Sequence, residues 1–187
     1  FYGENQGHKK EIIEEKFKKN FLGSTYAYEE SEVLNNQEGF FNNIVSKSFF
    51  ETEKLIIINR TTDKIKEVIE QMFEKKFEDV IIILNSNILE KKSKLRSIFE
   101  KNKDTFCIPF YKDNSQTLSI IISNYFRQNK ILISQQAINL IAQRSGGDRQ
   151  NLNNELEKIK YFIGNKKKIE LQDLLKLTNL AENYGVS

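Results

Sequence analysis

Residues Lys54–Asn59 (KLIIIN) and Asp79–Asn85 (DVIIILN) decide the fold. Each is a continuous apolar run rich in isoleucine, too short for a helix and without the alternation of a strand that faces water on one side. Both therefore predict strands covered on both faces, at the centre of a parallel sheet. Between them Thr62 can cap a helix with Asp63 in its first turn. Ile65, Val68, Ile69, Met72 and Phe73 then follow the i, i+3, i+4, i+7, i+8 spacing of one helical face. Strand, crossover helix and strand make one βαβ unit.

The same pattern extends outward from this unit. Toward the amino end it predicts a helix over 37–48, a weaker strand at Thr25–Glu30, a helix over 8–20 and a strand at Phe1–Tyr2. Toward the carboxyl end it predicts a helix over 90–102 and a strand at Thr105–Ile108. The alternation implies an α/β, doubly wound parallel-sheet domain over 1–110. Beyond Pro109 no strand is read. Leu118, Ile121, Ile122, Tyr125 and Phe126 define one amphipathic helix, Ser134 can cap a second through Ala137, Ile138 and Ile141, and Leu152, Leu156, Ile159 and Ile163 define a third. Leu171, Leu174 and Leu175 suggest a short fourth. Residues 111–187 are thus expected to form a small helical domain packed on the first.

Composition excludes much chemistry. The longest apolar runs, such as Val80–Leu84, are far shorter than the roughly 18–20 residues of a membrane span. The chain opens at Phe1 inside a predicted strand with no signal peptide, so the gene product is expected to begin upstream. One cysteine and one histidine leave too few ligands for a structural zinc site, no disulfide, and only His8 for any imidazole-dependent catalysis. Cys107, in an apolar run, reads as a buried core thiol, and a reducing compartment is the default. The formal charge of +3 divides as 18 basic against 19 acidic residues in 1–110 and 11 against 7 in 111–187, too little by itself to imply strong nucleic-acid binding.

A strand, a glycine-containing turn and a helix at the start of an α/β domain is where a phosphate-binding loop would lie. With Gly3 as the first glycine of G-x-x-x-x-G-K-[ST], His8 stands at the second glycine, Lys9 at the lysine and Lys10 at the magnesium-binding hydroxyl. Two of the four fixed positions fail. The buried strands end in Asn59-Arg60-Thr61 and Asn85-Ser86-Asn87, with no carboxylate for metal or water. Lys9 is either a phosphate ligand or, in a stretch where Lys and Glu alternate, a solvated charge in the first turn of a helix. His8 reads as a helix N-terminal residue.

Phe49 and Phe50 follow the helix predicted over 37–48. At 100° per residue Phe40, Phe41, Ile44, Val45 and Ser48 share one side, and a continued helix would set Phe50 roughly opposite them, facing water. Flanked by Ser48 and Glu51, the pair could form a protruding aromatic wedge, or it could turn back into the core. In Arg144-Ser145-Gly146-Gly147-Asp148-Arg149 a glycine can end one helix and Asp148 can cap the next. Arg149 opposes the helix dipole there and could face the domain junction. Lys166-Lys167-Lys168 reads as a solvated loop with phosphate contact as the alternative.

Taken together, Phe1-Tyr2-Gly3-Glu4-Asn5, Ser48-Phe49-Phe50-Glu51 before the strand at Lys54, Leu89–Leu95 (LEKKSKL), and Ser145-Gly146-Gly147-Asp148-Arg149 followed by Asn154-Glu155-Leu156-Glu157-Lys158 resemble the delta subunit of bacterial DNA polymerase III holoenzyme, the wrench of the clamp loader. The resemblance implies an AAA+-like fold with a degenerate ATP site and a helical lid domain over 111–187, no cofactor and no catalysis by this chain. It also implies that a hydrophobic pair inserts into the sliding clamp (beta subunit), a role that falls on Phe49 and Phe50, with phenylalanine replacing the leucine of a Ser-Leu-Phe pattern after Ser48. A collar domain that joins such subunits to their gamma/tau and delta prime partners would lie beyond Ser187, primed DNA would be met weakly or indirectly, and the setting would be the bacterial cytoplasm, at the nucleoid-associated replisome. The competing readings are a P-loop NTPase with a deviant loop and a stand-alone DNA-binding module built on 111–187.

Overall fold

The computed structural model describes residues 1–46, 53–75 and 77–184, the last seven of these as backbone only. The chain divides into two compact units. Phe1–Glu4 and Lys9–Phe110 form one, and Asn5–His8 with Tyr111–Ser187 form the other.

The first unit is built in three layers. Its sheet contains β1 (Ser24–Glu29), β2 (Lys54–Thr61) and β3 (Val80–Ser86), paired in parallel in that order. Phe1–Gly3 extends it beyond β3: Ser86 N–H donates to Phe1 O, Gly3 N–H to Asn87 O, and Tyr2 bridges in parallel to Pro109. The opening segment Phe1–Gly3 thus lies between β3 and the stretch Ile108–Phe110, the arrangement that makes a sheet doubly wound and sets a crevice at its carboxyl end. Alternate residues of β2 face opposite layers. Leu55 and Ile57 pack with Ile13 of the first helix, whereas Ile56 and Ile58 pack with Val33, Phe40, Ile44, Ile65 and Val68. All five positions Lys54–Ile58 are buried, as a strand covered on both faces requires.

The helices of this unit are α1 (Gln6–Ile12), continued by a π-helical turn over Ile13–Lys18, α2 (Glu30–Asn35), α3 (Gln37–Val45), α4 (Lys66–Lys75) and α5 (Lys94–Lys101). The face predicted for the crossover helix is buried at Ile65, Val68, Ile69 and Met72. Its cap, Thr62, accepts from Lys64 N–H at the head of a short 3-10 turn. α2 went unread in the sequence because a capping box between Glu29 and Glu32, not apolar periodicity, starts it.

Four expectations change. α3 ends at Val45, with Ser46 in an extended conformation and Val45 63% exposed instead of joining the buried stripe; the last two positions of the predicted helix lie outside the described residues. Thr105–Ile108 is reduced to the bridge at Pro109, with Phe106 83% exposed. β3 is covered on both faces only in its carboxyl half. Phe1–Gly3 runs beside Leu84–Asn87 alone, which leaves Ile81 exposed beside an apolar cavity of about 320 Å³. Cys107 lines that cavity and is half-buried, not sealed in a core; partial burial pushes its thiol pKa up.

The second unit contains α6 (Ser115–Gln128), α7 (Gln135–Ser145), α8 (Arg149–Ile163) and α9 (Leu171–Tyr184). Their core joins Leu118, Ile122, Phe126, Ala137, Ile138, Ile141, Leu152, Leu156, Ile159 and Leu174, positions set by the 3.6-residue period. Ser134 and Asp148 cap α7 and α8, and Gly146 ends α7 with φ 59°. The unit is not purely helical: β4 (Leu132–Ile133) pairs in parallel with β5 (Lys168–Ile169), a ladder too short to leave a strand signal.

Candidate functional site

Lys9 is fully buried, and this overturns its reading as a solvated charge. Its Nζ donates to Gly3 O at 3.0 Å and Ser86 O at 2.6 Å. These carbonyls end two neighbouring strands at the point where the strand order reverses, the place a doubly wound sheet offers to a ligand. The ammonium that a phosphate-binding loop would aim at an anion is turned onto main-chain oxygens. Gly3 is fixed there by its backbone: it has φ 121°, and a Cβ would lie 2.3 Å from Phe110 O. Around it Thr61 Oγ1 and Ser86 Oγ share a hydrogen bond of 2.6 Å, and Asn85 Nδ2 donates to Asn59 Oδ1 at 3.1 Å. Neutral side chains thus pair between the ends of β2 and β3.

An AAA+-like fold implies a nucleotide and magnesium, and the residues present do not fit them. Lys9 is engaged elsewhere, His8 has a side chain where inward-turned backbone is needed, Lys10 is exposed and offers no hydroxyl, and the ends of β2 and β3 carry no carboxylate. No group of three or more potential metal ligands occurs among the described residues.

The middle of the same loop belongs to the helical unit. Asn5 is fully buried; its Nδ2 donates to Asp113 Oδ2 at 2.8 Å and Tyr111 O at 3.2 Å, and its Oδ1 accepts from His8 N–H and Arg149 N–H, both at 3.1 Å. Arg149 grips Asp113 with Nε and Nη2 at 2.8 and 3.2 Å, the two side chains being 15% and 10% exposed. Burial raises the Asp113 pKa, but hydrogen bonds from Arg149 and Asn5 outweigh it and hold the carboxyl below its ordinary range. Gly7 permits the close packing, since a Cβ would fall 2.0 Å from Gln150 N. Asp148 also serves twice, capping α8 and accepting from Gln6 N–H at 3.0 Å. Lys166, Lys167 and Lys168 are exposed, and Lys166 and Lys168 pair with Asp173 and Glu170.

The opposite, amino-terminal end of the sheet holds a second buried lysine. Lys54, first residue of β2, is 3% exposed and its Nζ donates to Asn43 O, in the last turn of α3, and to Ser46 O just beyond it. The sequence carried one signal of it, a lysine opening a strand buried on both faces. Ser48, Phe49 and Phe50, the predicted clamp-binding residues, lie outside the described residues, between Ser46 and Lys54.

A profile of the family described as DNA polymerase III, delta subunit, matches residues 1–109. The chain belongs to this family. No curated protein matches the sequence. Among solved structures it is similar to the Bacillus subtilis DNA clamp loader delta protein, with 15% identity, TM-score 0.53, and coverage of 94% of this chain and 56% of that one. It is also similar to the Thermotoga maritima RuvB Holliday junction branch migration motor, with 14% identity, TM-score 0.65, and coverage of 96% and 60%. At these identities the likenesses show the fold alone, an AAA+-like α/β fold with a parallel sheet. The chain spans less than two thirds of either structure.

Proposed function

We propose that this chain is the clamp-engaging portion of a clamp-loader delta subunit, which binds the sliding clamp and favours its opened form without turning over nucleotide itself. The observation that carries the reading is the family match across the α/β unit. The diversion of Lys9 onto strand-end carbonyls supports a non-catalytic role. Phe49 and Phe50 supply the hydrophobic contact. A wedge that fits an opened ring better than a closed one shifts the ring equilibrium by the ratio of the two affinities, and no covalent step is needed. ATP then acts in the gamma/tau partners, and assembly with them and with delta prime runs through a collar that lies in the rest of a full-length subunit.

The test is capture of the purified sliding clamp by the chain and by Phe49→Ala/Phe50→Ala. Loss of capture with an unchanged circular dichroism spectrum and melting midpoint is expected, since truncating paired aromatic anchors commonly removes about 2–4 kcal/mol or more of binding energy. Undiminished capture by the double variant would refute the assignment of these two residues.

A further inference from the structure

The helical unit carries a run that the clamp-loading reading leaves unused, Lys166-Lys167-Lys168, and the fold brings further cations to it from a distant stretch. In the β4–β5 ladder Leu132 pairs with Lys168 and Ile133 with Ile169, and Leu132 N–H donates to Lys167 O at 2.8 Å. The ladder thus sets the carboxyl end of α6, with Arg127 and Lys130, beside the lysine run. Lys166 N–H donates to Ile163 O at 3.1 Å, which brings in the last turn of α8 with Lys160 and Tyr161, the latter 82% exposed. Lys166 and Lys168 are answered by Asp173 and Glu170. Among the described residues Arg127, Lys130, Lys160 and Lys167 form no ion pair. Helix dipoles account for cations in the last turns of α6 and α8, but not for Lys167. Lys130 takes φ 56°, a backbone conformation that glycine or asparagine adopts at lower cost.

Arg127 and Lys130 also border a groove of about 500 Å³ whose apolar surface comes from Ile131, Ile133 and Ile138. A duplex keeps its base faces stacked inside and offers such a groove only phosphates. An unpaired strand offers an apolar base face together with the phosphate beside it, and an exposed aromatic ring such as Tyr161 serves as a stacking platform for a further base. We propose that this end of the helical unit is a contact site for single-stranded DNA, with Arg127, Lys130, Lys160 and Lys167 on backbone phosphates and unpaired bases on the groove and Tyr161. The site is separate from the clamp contact and does not depend on Phe49 or Phe50. Membership of a DNA polymerase III family favours a nucleic acid over the other polyanions that match this charge, an anionic membrane and an acidic protein.

The experiment measures binding of fluorescein-labelled oligothymidine to the whole chain by anisotropy over a range of salt, with a duplex of equal length and phosphatidylglycerol vesicles as competitors. Four phosphate contacts to a single strand predict a slope of about −3 for the logarithm of the binding constant against that of salt. Arg127→Gln/Lys130→Asn/Lys167→Gln, in which asparagine suits the backbone at 130, should weaken binding tenfold or more at low salt and flatten the slope to about −1. Tyr161→Ala should weaken binding about fivefold and leave the slope unchanged. Lys19→Gln/Lys101→Gln/Lys103→Gln, which removes the same charge from exposed positions of the first unit, should bind as the wild type does. Should the first triple variant fail to fold, Lys167→Gln alone should reduce the slope by about 0.7. An equal loss in both triple variants, absence of binding by the wild type, or stronger competition by the vesicles than by unlabelled oligothymidine would overturn the site. A duplex that competes as well as the single strand, with Tyr161→Ala unimpaired, would overturn the base contact and with it the assignment to unpaired DNA.

Discussion

Among the described residues two lysines are buried, and they stand at opposite ends of one parallel sheet. Lys9 reaches from α1 to the carboxyl ends of the strands, whereas Lys54 reaches from the start of β2 to the carboxyl end of α3. Both discharge an ammonium onto main-chain carbonyls, yet the consequences differ. Lys9 occupies the point where a doubly wound sheet accepts ligands; Lys54 holds the carbonyls of Asn43 and Ser46 where α3 ends. One fold can therefore use a buried lysine to fill its strand ends at one side of the sheet and to hold a helix end at the other.

That contrast can be broken at the Lys9 end first. Lys9→Met should lower unfolding stability by about 2–4 kcal/mol, because Gly3 O and Ser86 O lose a shared donor inside the sheet. Equilibrium urea denaturation measures it. A lysine kept for phosphate would cost little when removed in the absence of nucleotide, so an unchanged midpoint would contradict the plugging role.

The loop's other anchor gives the next effect. Asp113→Asn and Arg149→Gln should each cost roughly 1–3 kcal/mol, and the double variant less than the sum, because both remove one ion pair. Asp113 also sets an acid dependence. Its folded pKa lies below the ordinary carboxylate value, so the carboxylate's contribution is complete above the unfolded value and is lost as pH falls through the lower folded one. Wild-type stability should therefore fall more steeply below pH 4 than that of Asp113→Asn, as read from denaturation midpoints.

Smaller effects test the rest of the carboxyl end. Asp63 accepts from Ser93 Oγ, Leu95 N–H and Lys94 N–H at the head of α5, and its pKa is lowered chiefly by Ser93. Because Asp63 is exposed, Asp63→Asn should cost about 0.5–1 kcal/mol. Smallest is the effect of magnesium ATP, which should leave the wild-type melting midpoint unchanged. A nucleotide at a hundred times its dissociation constant would instead add about 2.7 kcal/mol.

Much of the architecture was legible because it rests on local pattern. β2 and its crossover helix followed from isoleucine-rich runs and a 3.6-residue stripe, as did the helical core from Leu118 to Leu174. The degenerate loop at Gly3, His8, Lys9 and Lys10 was legible as a failed motif. What the loop's lysine does instead was not, since its partners include Ser86, far along the chain. α3 was read past Val45 because its side of the helix was continued to Ser48, whereas Ser46 is extended and its carbonyl accepts from Lys54 of the following strand. Arg149 stood out for opposing its helix dipole, while its partner Asp113 gave no sign in a polar stretch between elements.

Periodicity, chain length and strand composition alone set the layer order and the two kinds of unit, because burying a face of a helix or strand depends only on which residues recur along it. The fate of each charge was decided in three dimensions. A lysine's side chain can turn to water, to a phosphate or to a neighbouring carbonyl, and only the positions of distant strand and helix ends determine which partner lies within its reach.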